Sequence, residues 1–206
     1  VEMTVLVTGA RGGFARAFIP KLVESVRDDV LSVVRENVQQ ATDVQCDLSD
    51  RGAVEQMIRN TRPKLIYHLA GSFAGNFETD VLVNAHSSKW IFDALLRSKL
   101  DCRVVVFGSA AEYGMVAEAS NPVAETQALK PVSIYGLTKA MQTQISSYYA
   151  SVQGVDVVVA RVFNLAVKGL SQRLFYGRIV SLVDSYKNRE IDKMTFGNLE
   201  AIRDYI

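Results

Sequence analysis

The sequence predicts an α/β fold built on one parallel, doubly wound sheet with helices on both faces. Short β-branched runs alternate with helical patterns from residues 4–8 to residues 155–160. No internal repeat, low-complexity tract or interdomain linker divides the 206 residues. With 49% hydrophobic residues the chain can bury a sizeable core, as one domain with a small appendage.

Residues 3–8, Met-Thr-Val-Leu-Val-Thr, read as a strand buried on both faces. The loop that follows, from Gly9 through Arg11 to Ala15, opens a helical pattern. In such a loop Gly9 permits a tight turn, Gly12 lets backbone approach a pyrophosphate, and the small Ala15 lets helix and strand pack closely. The helix N-terminus around Gly13 and Phe14 offers unpaired amides and a positive dipole end to phosphates. A purely structural turn is the alternative, and the strand before and helix after weigh against it. Pro20, inside the helical pattern, predicts a kink or a break.

A second strand over 30–34 ends in Arg35, where dinucleotide folds that select NAD carry an acidic residue for the ribose 2′-hydroxyl. An arginine there suits a 2′-phosphate, with Arg11 as a second contact, so NADP(H) is favoured and NAD(H) is the alternative. The bland reading is a solvated arginine at a strand end. A short third strand near Val44 leads to Asp47 and Leu48. The Asp47 carboxylate either accepts from an adenine amino group or joins Ser49 and Asp50 in a helix-capping turn.

The fourth strand is predicted over 65–71, and its ending, Leu69, Ala70 and Gly71, leaves room for a ribose or nicotinamide. A helix over 80–99 follows, beginning near Asn84, whose amide either holds a water or ties down backbone. A fifth strand over 104–108 delivers Ser109 at its carboxyl end, the edge where open α/β sheets bind ligands. After a loop over 114–131 comes a helix carrying Tyr135 and Lys139, which share one face at a spacing of four. A free phenol has a pKa of roughly 10, and the Lys139 charge would favour its phenolate. The spacing is weak alone and gains weight from the glycine loop and Ser109. On the same helix Leu137, Met141, Ile145, Tyr148 and Val152 form a stripe that predicts a buried face. A sixth strand over 155–160, a loop through Asn164, a helix over 174–187 and a segment ending at Ile206 complete the reading.

The net charge of +1, with basic residues dispersed, leaves no footprint for nucleic acid or an anionic membrane, and points to small-molecule partners. Cys46 and Cys102 lack metal-ligand spacing and read as reduced and structural, and His68 and His86 make no metal site. No apolar run reaches the roughly 18 residues of a membrane span, and no signal-peptide pattern precedes the first strand. A soluble cytoplasmic protein is expected.

The ordered set Thr8-Gly9-x-x-Gly12-x-x-Ala15, Asp47-Leu48, His68-Leu69-Ala70-Gly71, Asn84, Ser109 to Gly114, Tyr135-x-x-x-Lys139, Arg161-x-Phe163-Asn164 and Arg203-Asp204-Tyr205 spans the chain. It resembles an extended short-chain dehydrogenase/reductase of the NAD-dependent epimerase/dehydratase family, which acts on nucleotide sugars. Residues 33–35 and 197–204 are most similar to the branch holding GDP-mannose dehydratases and GDP-4-keto-6-deoxymannose reductases.

The resemblance implies a Rossmann-type dinucleotide-binding domain over 1–165 and the start of a substrate-binding region over 166–206. Relatives continue past the Arg-Asp-Tyr motif, so this region is expected to be truncated. The resemblance also implies Tyr135 as proton donor or acceptor, Lys139 as its activator and ribose ligand, and Ser109, beside Ala110, as the hydroxyl that polarises the sugar oxygen. Asn164 would contact the nucleotide-sugar substrate and Arg203 its diphosphate. A homodimer through helices near 80–99 and 136–152 is the family's arrangement.

Two departures narrow the reaction. Dehydratases carry an acid two places after the Ser/Thr, where this chain has Ala111; Glu112, one further, is expected to point elsewhere. Residues 167–170 read Val-Lys-Gly-Leu where relatives have Gly-Pro-Gly. The expected reaction is reduction of a nucleotide-linked 4-keto-6-deoxyhexose. The alternatives are a sugar-nucleotide 4-epimerase with tightly held NAD and a non-catalytic dinucleotide-binding sensor or scaffold.

Overall fold

A computed structural model describes residues 3–26, 29–197, 200, 202 and 204–206. Six strands, β1 (Thr4–Thr8), β2 (Asp29–Val34), β3 (Asp43–Gln45), β4 (Leu65–His68), β5 (Arg103–Ser109) and β6 (Val157–Val162), form one sheet in the order β3-β2-β1-β4-β5-β6. Every pairing is parallel. This is the Rossmann order, and the chain reverses its winding between β1 and β4, which opens a crevice at their carboxyl ends.

Successive side chains of a strand point to opposite faces, and β1 feeds a different core on each. Leu6 joins the larger core with Ile58, Phe92 and Leu95. Val5 and Val7 face the smaller one with Leu22 and Val30. Helix α1 (Gly13–Ser25) covers the smaller core, while α2 (Arg51–Thr61), α4 (Ser87–Arg97) and α5 (Ile134–Ser151) cover the larger. Helix α3 (Phe77–Val81) runs through a π-helical turn (Leu82–His86) into α4, and α6 (Phe175–Lys187) follows β6.

The register steps the sheet edge. Strand β4 stops where His68 pairs with Val106, so Phe107, Gly108 and Ser109 run on beside β6 alone. Residues 69–71 therefore leave the strand predicted over 65–71, and the Ala70 amide turns to donate to Thr8 Oγ1 at 3.2 Å. The sixth strand starts at Val157 rather than 155, because the Val155 amide still closes the end of α5 on the Tyr149 carbonyl.

Helix α1 continues through Pro20 without a break. Phe18, Ile19 and Leu22 on either side of the proline are anchored on the smaller core, which offsets the one lost hydrogen bond. The helix predicted from 80 begins at Phe77, capped by Asn76, whose side chain accepts from the Thr79 amide at 2.9 Å. The apolar stripe on α5 is buried only in part, at Ile145, which packs on the larger core, with Met141 half-buried. Leu137, Tyr148 and Val152 are exposed, and the helix instead buries Thr138, Lys139, Gln142, Thr143 and Ser146.

Cys46 and Cys102 are free and buried in the larger core, where burial pushes each thiol up to about 12. Among the described residues no helix is long and apolar enough to cross a membrane.

Asp50 caps α2 through its carboxylate, which accepts from the Gly52 amide at 2.7 Å and the Ala53 amide at 3.1 Å. Asp47 instead accepts from the amide and hydroxyl of Ser49, outside the helix. In urea denaturation Asp50→Ala should therefore cost about 1 kcal/mol and Asp47→Ala clearly less; an equal loss would contradict this division of roles.

Candidate functional site

A cleft of about 950 Å³ lies along the stepped carboxyl edge of the sheet. The glycine loop forms its floor. Gly9 has φ of 67°, and a Cβ there would come within 2.8 Å of Ala70 backbone, so no other residue fits without moving two strand ends apart. A Cβ on Gly13 would come within 2.6 Å of the Gly169 carbonyl. Gly12 caps α1 with no side-chain hydrogen bond, which leaves the first-turn amides to a ligand. Ala15 is buried, and Phe14 stacks on Phe18 and meets Phe107 at a tilt, completing the floor. These features fit a dinucleotide: the glycines let the loop backbone pack closely on its neighbours, and the helix end supplies donors.

Arg35 lines the cleft beyond β2 and pairs with Glu36 at 3.3 Å, both side chains largely exposed. Arg11 does not share the cleft; its guanidinium binds the Asp43 carboxylate at 2.6 Å and the Asn37 carbonyl. Asp43 also accepts from the Gln39 and Gln40 amides, and these contacts hold its carboxyl below the usual range. Arg35 is thus the more available cation for a 2′-phosphate. The Ser49 contacts likewise lower Asp47, and Leu48 packs on the larger core, so neither side chain lines the cleft.

Behind the loop lies a buried polar chain that sequence reasoning does not single out. Thr8 Oγ1 is 2.8 Å from His68 Nδ1, and His68 Nε2 is 3.1 Å from Ser87 Oγ. Ser87 Oγ donates to the Val83 carbonyl at 2.6 Å, so its oxygen accepts from His68 Nε2–H. Thr8 accepts from Ala70 and therefore donates to Nδ1. Burial, helped by the Lys139 charge, lowers His68 to about 3 and keeps it neutral.

Asn84 is fully buried in the π-helical turn. Its amide accepts from the Ser72 amide at 2.7 Å and donates to the Ser72 carbonyl and to Thr138 Oγ1. Of the two expected roles, tying down backbone is the one the structure realises. Asp80 joins it by accepting from Ser72 Oγ and the Ala74 and Gly75 amides, which fixes the loop after Gly71. That loop carries Phe73, which is exposed and meets the Tyr135 ring edge-on at 5.0 Å.

Ser109, Ala110, Tyr135 and Lys139 come together on the cleft. Ser133 caps α5, accepting from the Gly136 amide, and so starts the helix one residue before Ile134 with Tyr135 in its first turn. A Cβ on Gly136 would lie 2.5 Å from the Ala111 carbonyl, so this glycine lets the helix seat against the turn after β5. Lys139 is only 3% exposed. Its Nζ donates to the Phe107 carbonyl and to Gln142 Oε1, and Gln142 in turn donates to Ser88.

Burial raises the Tyr135 pKa, the Ser109 hydroxyl draws it down, and the Glu112 and Asp80 carboxylates raise it further. Burial brings Lys139 down to about 8, opposed by Glu112. The lysine donors point to the sheet edge, and the phenol stays neutral. Glu112 turns away from the cleft, as its position after Ala111 predicts, and is fully buried.

Asn164 lines the cleft beside β6, but its side-chain amide donates to the Asp204 carbonyl at 2.8 Å, and its backbone bridges to Tyr205. Arg203, expected at a diphosphate, lies outside the described residues. Arg173, which no motif marks, places an exposed cation on the cleft.

A family model for the NAD dependent epimerase/dehydratase family matches residues 5–206. GDP-6-deoxy-D-talose 4-dehydrogenase of Aggregatibacter actinomycetemcomitans is 29% identical over 212 residues, covering 99% of this chain and 66% of that protein. UDP-glucose 4-epimerase of Streptococcus mutans is 27% identical, covering 80% of this chain and 52% of that protein. The chain thus spans between half and two thirds of these relatives. Among solved structures, RMD from Pseudomonas aeruginosa complexed with NADPH superposes with a TM-score of 0.83 at 18% identity, covering 99% of this chain and 69% of that one. That likeness is one of fold.

The buried neutral His68 makes stability pH-dependent. Its folded pKa lies below the free value of about 6.5, so its contribution is complete above that pH and is lost as pH falls towards about 3. Between pH 7 and 5 urea unfolding should show a loss of about 2 kcal/mol that His68→Gln lacks. Equal pH slopes in the two proteins would contradict the assignment.

Proposed function

The chain belongs to the NAD dependent epimerase/dehydratase family, and from that premise we propose that it is an NAD(P)-dependent oxidoreductase of nucleotide sugars. Its reaction is reduction of the keto group of a nucleotide-linked 4-keto-6-deoxyhexose. The observation that carries this reading is a neutral phenol, Tyr135, beside the Ser109 hydroxyl and above a buried ammonium, Lys139, at one end of a phosphate-shaped cleft.

When bound, a reduced nicotinamide supplies the hydride. Negative charge then develops on the carbonyl oxygen, and a positioned acid must deliver a proton in step. Tyr135 holds that proton, Ser109 donates a hydrogen bond to the same oxygen, and Lys139 stabilises the phenolate left behind. The carbonyl carbon gains the hydride and its oxygen gains the proton, so the keto group becomes a secondary alcohol and the C–O bond is kept. Ala111 supports reduction over dehydration, because no carboxylic acid stands two places after Ser109 to move protons at sugar carbons 5 and 6, and Glu112 is buried. Arg35 supports NADP(H) as the cofactor, and Arg173 offers a cation to the substrate diphosphate. Asn164 is proposed to contact the sugar once its bond to the Asp204 carbonyl opens.

A 4-epimerase is the second reading, favoured by the 27% identity to a UDP-glucose 4-epimerase. It uses the same three side chains with a retained NAD. The protein is read as a homodimer, supported by the exposed Leu137, Tyr148 and Val152 on α5.

With a 4-keto-6-deoxyhexose nucleotide, NADPH should be oxidised in preference to NADH, and Arg35→Ala should raise KM for NADPH only. Oxidation of neither, with NAD bound to the purified protein, would favour the epimerase. Tyr135→Phe should lower kcat by on the order of 10²- to 10⁴-fold while cofactor binding is kept; undiminished turnover would remove Tyr135 from its role.

A further inference from the structure

Glu112 stands outside the proposed chemistry yet is one of the most deeply buried charged side chains of the described residues. Its Oε1 accepts the Ser109 amide at 2.7 Å, while Ser109 Oγ accepts the Ala111 amide at 3.2 Å. Its Oε2 lies 3.3 Å from Arg161 Nε with no hydrogen bond of good geometry on either atom, so that contact is electrostatic. The Arg161 guanidinium is pinned by Nη1, which donates to the Tyr113 hydroxyl and the Glu125 carbonyl, both at 2.9 Å, and it lies 5.1 Å from the Tyr113 ring centre. Gly108 makes room for the carboxylate, since a Cβ there would come within 2.6 Å of Oε1.

A glutamate that served only to cap a three-residue turn could lie at the surface. This one is placed under the site with a counter-charge supplied from β6, at the desolvation cost that burial of an ion pair carries. We infer that Glu112 is a positioning residue. Its carboxylate, held from behind by Arg161, fixes Ser109 opposite the Tyr135 phenol and sets a negative charge beneath the Tyr135–Lys139 pair. The inference rests on the reading of Ser109, Tyr135 and Lys139 as the reacting set.

The charged groups that face the phenol are Glu112 from the turn after β5, Asp80 from α3 and Lys139 one turn along α5; Ser109 faces it from β5, and Arg161 reaches it from β6 through Glu112. Glu112 disfavours the phenolate and favours the ammonium. Burial is the first cause that holds the proton on Tyr135, and the Glu112 charge adds to it.

The test is Glu112→Gln, which keeps an acceptor for the Ser109 amide and removes the charge. Ring-labelled tyrosine is titrated by carbon NMR in the cofactor-free protein, with the Tyr135 signal identified by its loss in Tyr135→Phe. The midpoint of Tyr135 should move to lower pH in Glu112→Gln, and the alkaline limb of reductive turnover should move with it while KM changes little. An unmoved midpoint overturns the inference. Gly108→Ala pushes the carboxylate off Ser109 without changing charge, and should lower kcat by on the order of tenfold or more through misplacement of the hydroxyl; wild-type kcat there also overturns it. If Tyr135→Phe retains turnover, the catalytic reading fails, and the NMR midpoints still decide the Glu112 claim separately.

Discussion

Burial of the Lys139 ammonium is the constraint on which the site depends. A charge with 3% exposure persists only with partners in place, and here they are the Phe107 carbonyl and Gln142. The Phe107 carbonyl is free to accept because β5 outruns β4 by three residues at the sheet edge. Gln142 is held by Ser88, and Ser88 Oγ donates to the Asn84 carbonyl of the π-helical turn. Seating one cation therefore fixes the spacing of α5, the α3–α4 segment and β5, and with it the position of Tyr135.

The same constraint explains why α5 turns a polar face inward. Thr138, Lys139, Gln142, Thr143 and Ser146 are buried where an amphipathic reading puts Leu137, Tyr148 and Val152. Thr138, Lys139, Gln142 and Ser146 each find a hydrogen bond, as with Ser146, which donates back to the Gln142 carbonyl at 2.8 Å, whereas the Thr143 hydroxyl finds none. At the carboxyl end of β1 the demand is steric. Gly9 meets the Ala70 backbone, and Thr8 and His68 bond beneath that contact, so the phosphate cradle rests on a dry, neutral hydrogen-bond chain.

Much of this was legible in the sequence. Alternation of strand and helix marked all six strands, since buried parallel strands read as unbroken apolar runs, and every long helix except α2. The glycine spacing located the cradle, and the Tyr135, Lys139 and Ser109 positions located the other end of the cleft, because those residues sit at fixed offsets from strand and helix ends. What was not legible depends on contacts distant in sequence. The Thr8–His68–Ser87 chain joins residues 60 and 19 apart, and no local pattern marks it. The stripe on α5 misled because hydrophobic periodicity reports which face is apolar, not which face a buried cation requires. Arg11 and Asp47 have the right residue types for a ligand, but nearer partners, Asp43 and Ser49, engage them first.

In the proposed reaction a hydride passes to a sugar carbonyl while Tyr135 supplies the proton. Its most direct test is to give the wild-type protein NADPH deuterated on the transferring face of the nicotinamide, with a nucleotide-linked 4-keto-6-deoxyhexose, and to read the product by NMR. Deuterium is expected on sugar carbon 4 beside a new hydroxyl. Recovery of the 4-keto sugar unreduced, or a carbon-4 hydroxyl formed with no deuterium on that carbon, would contradict it.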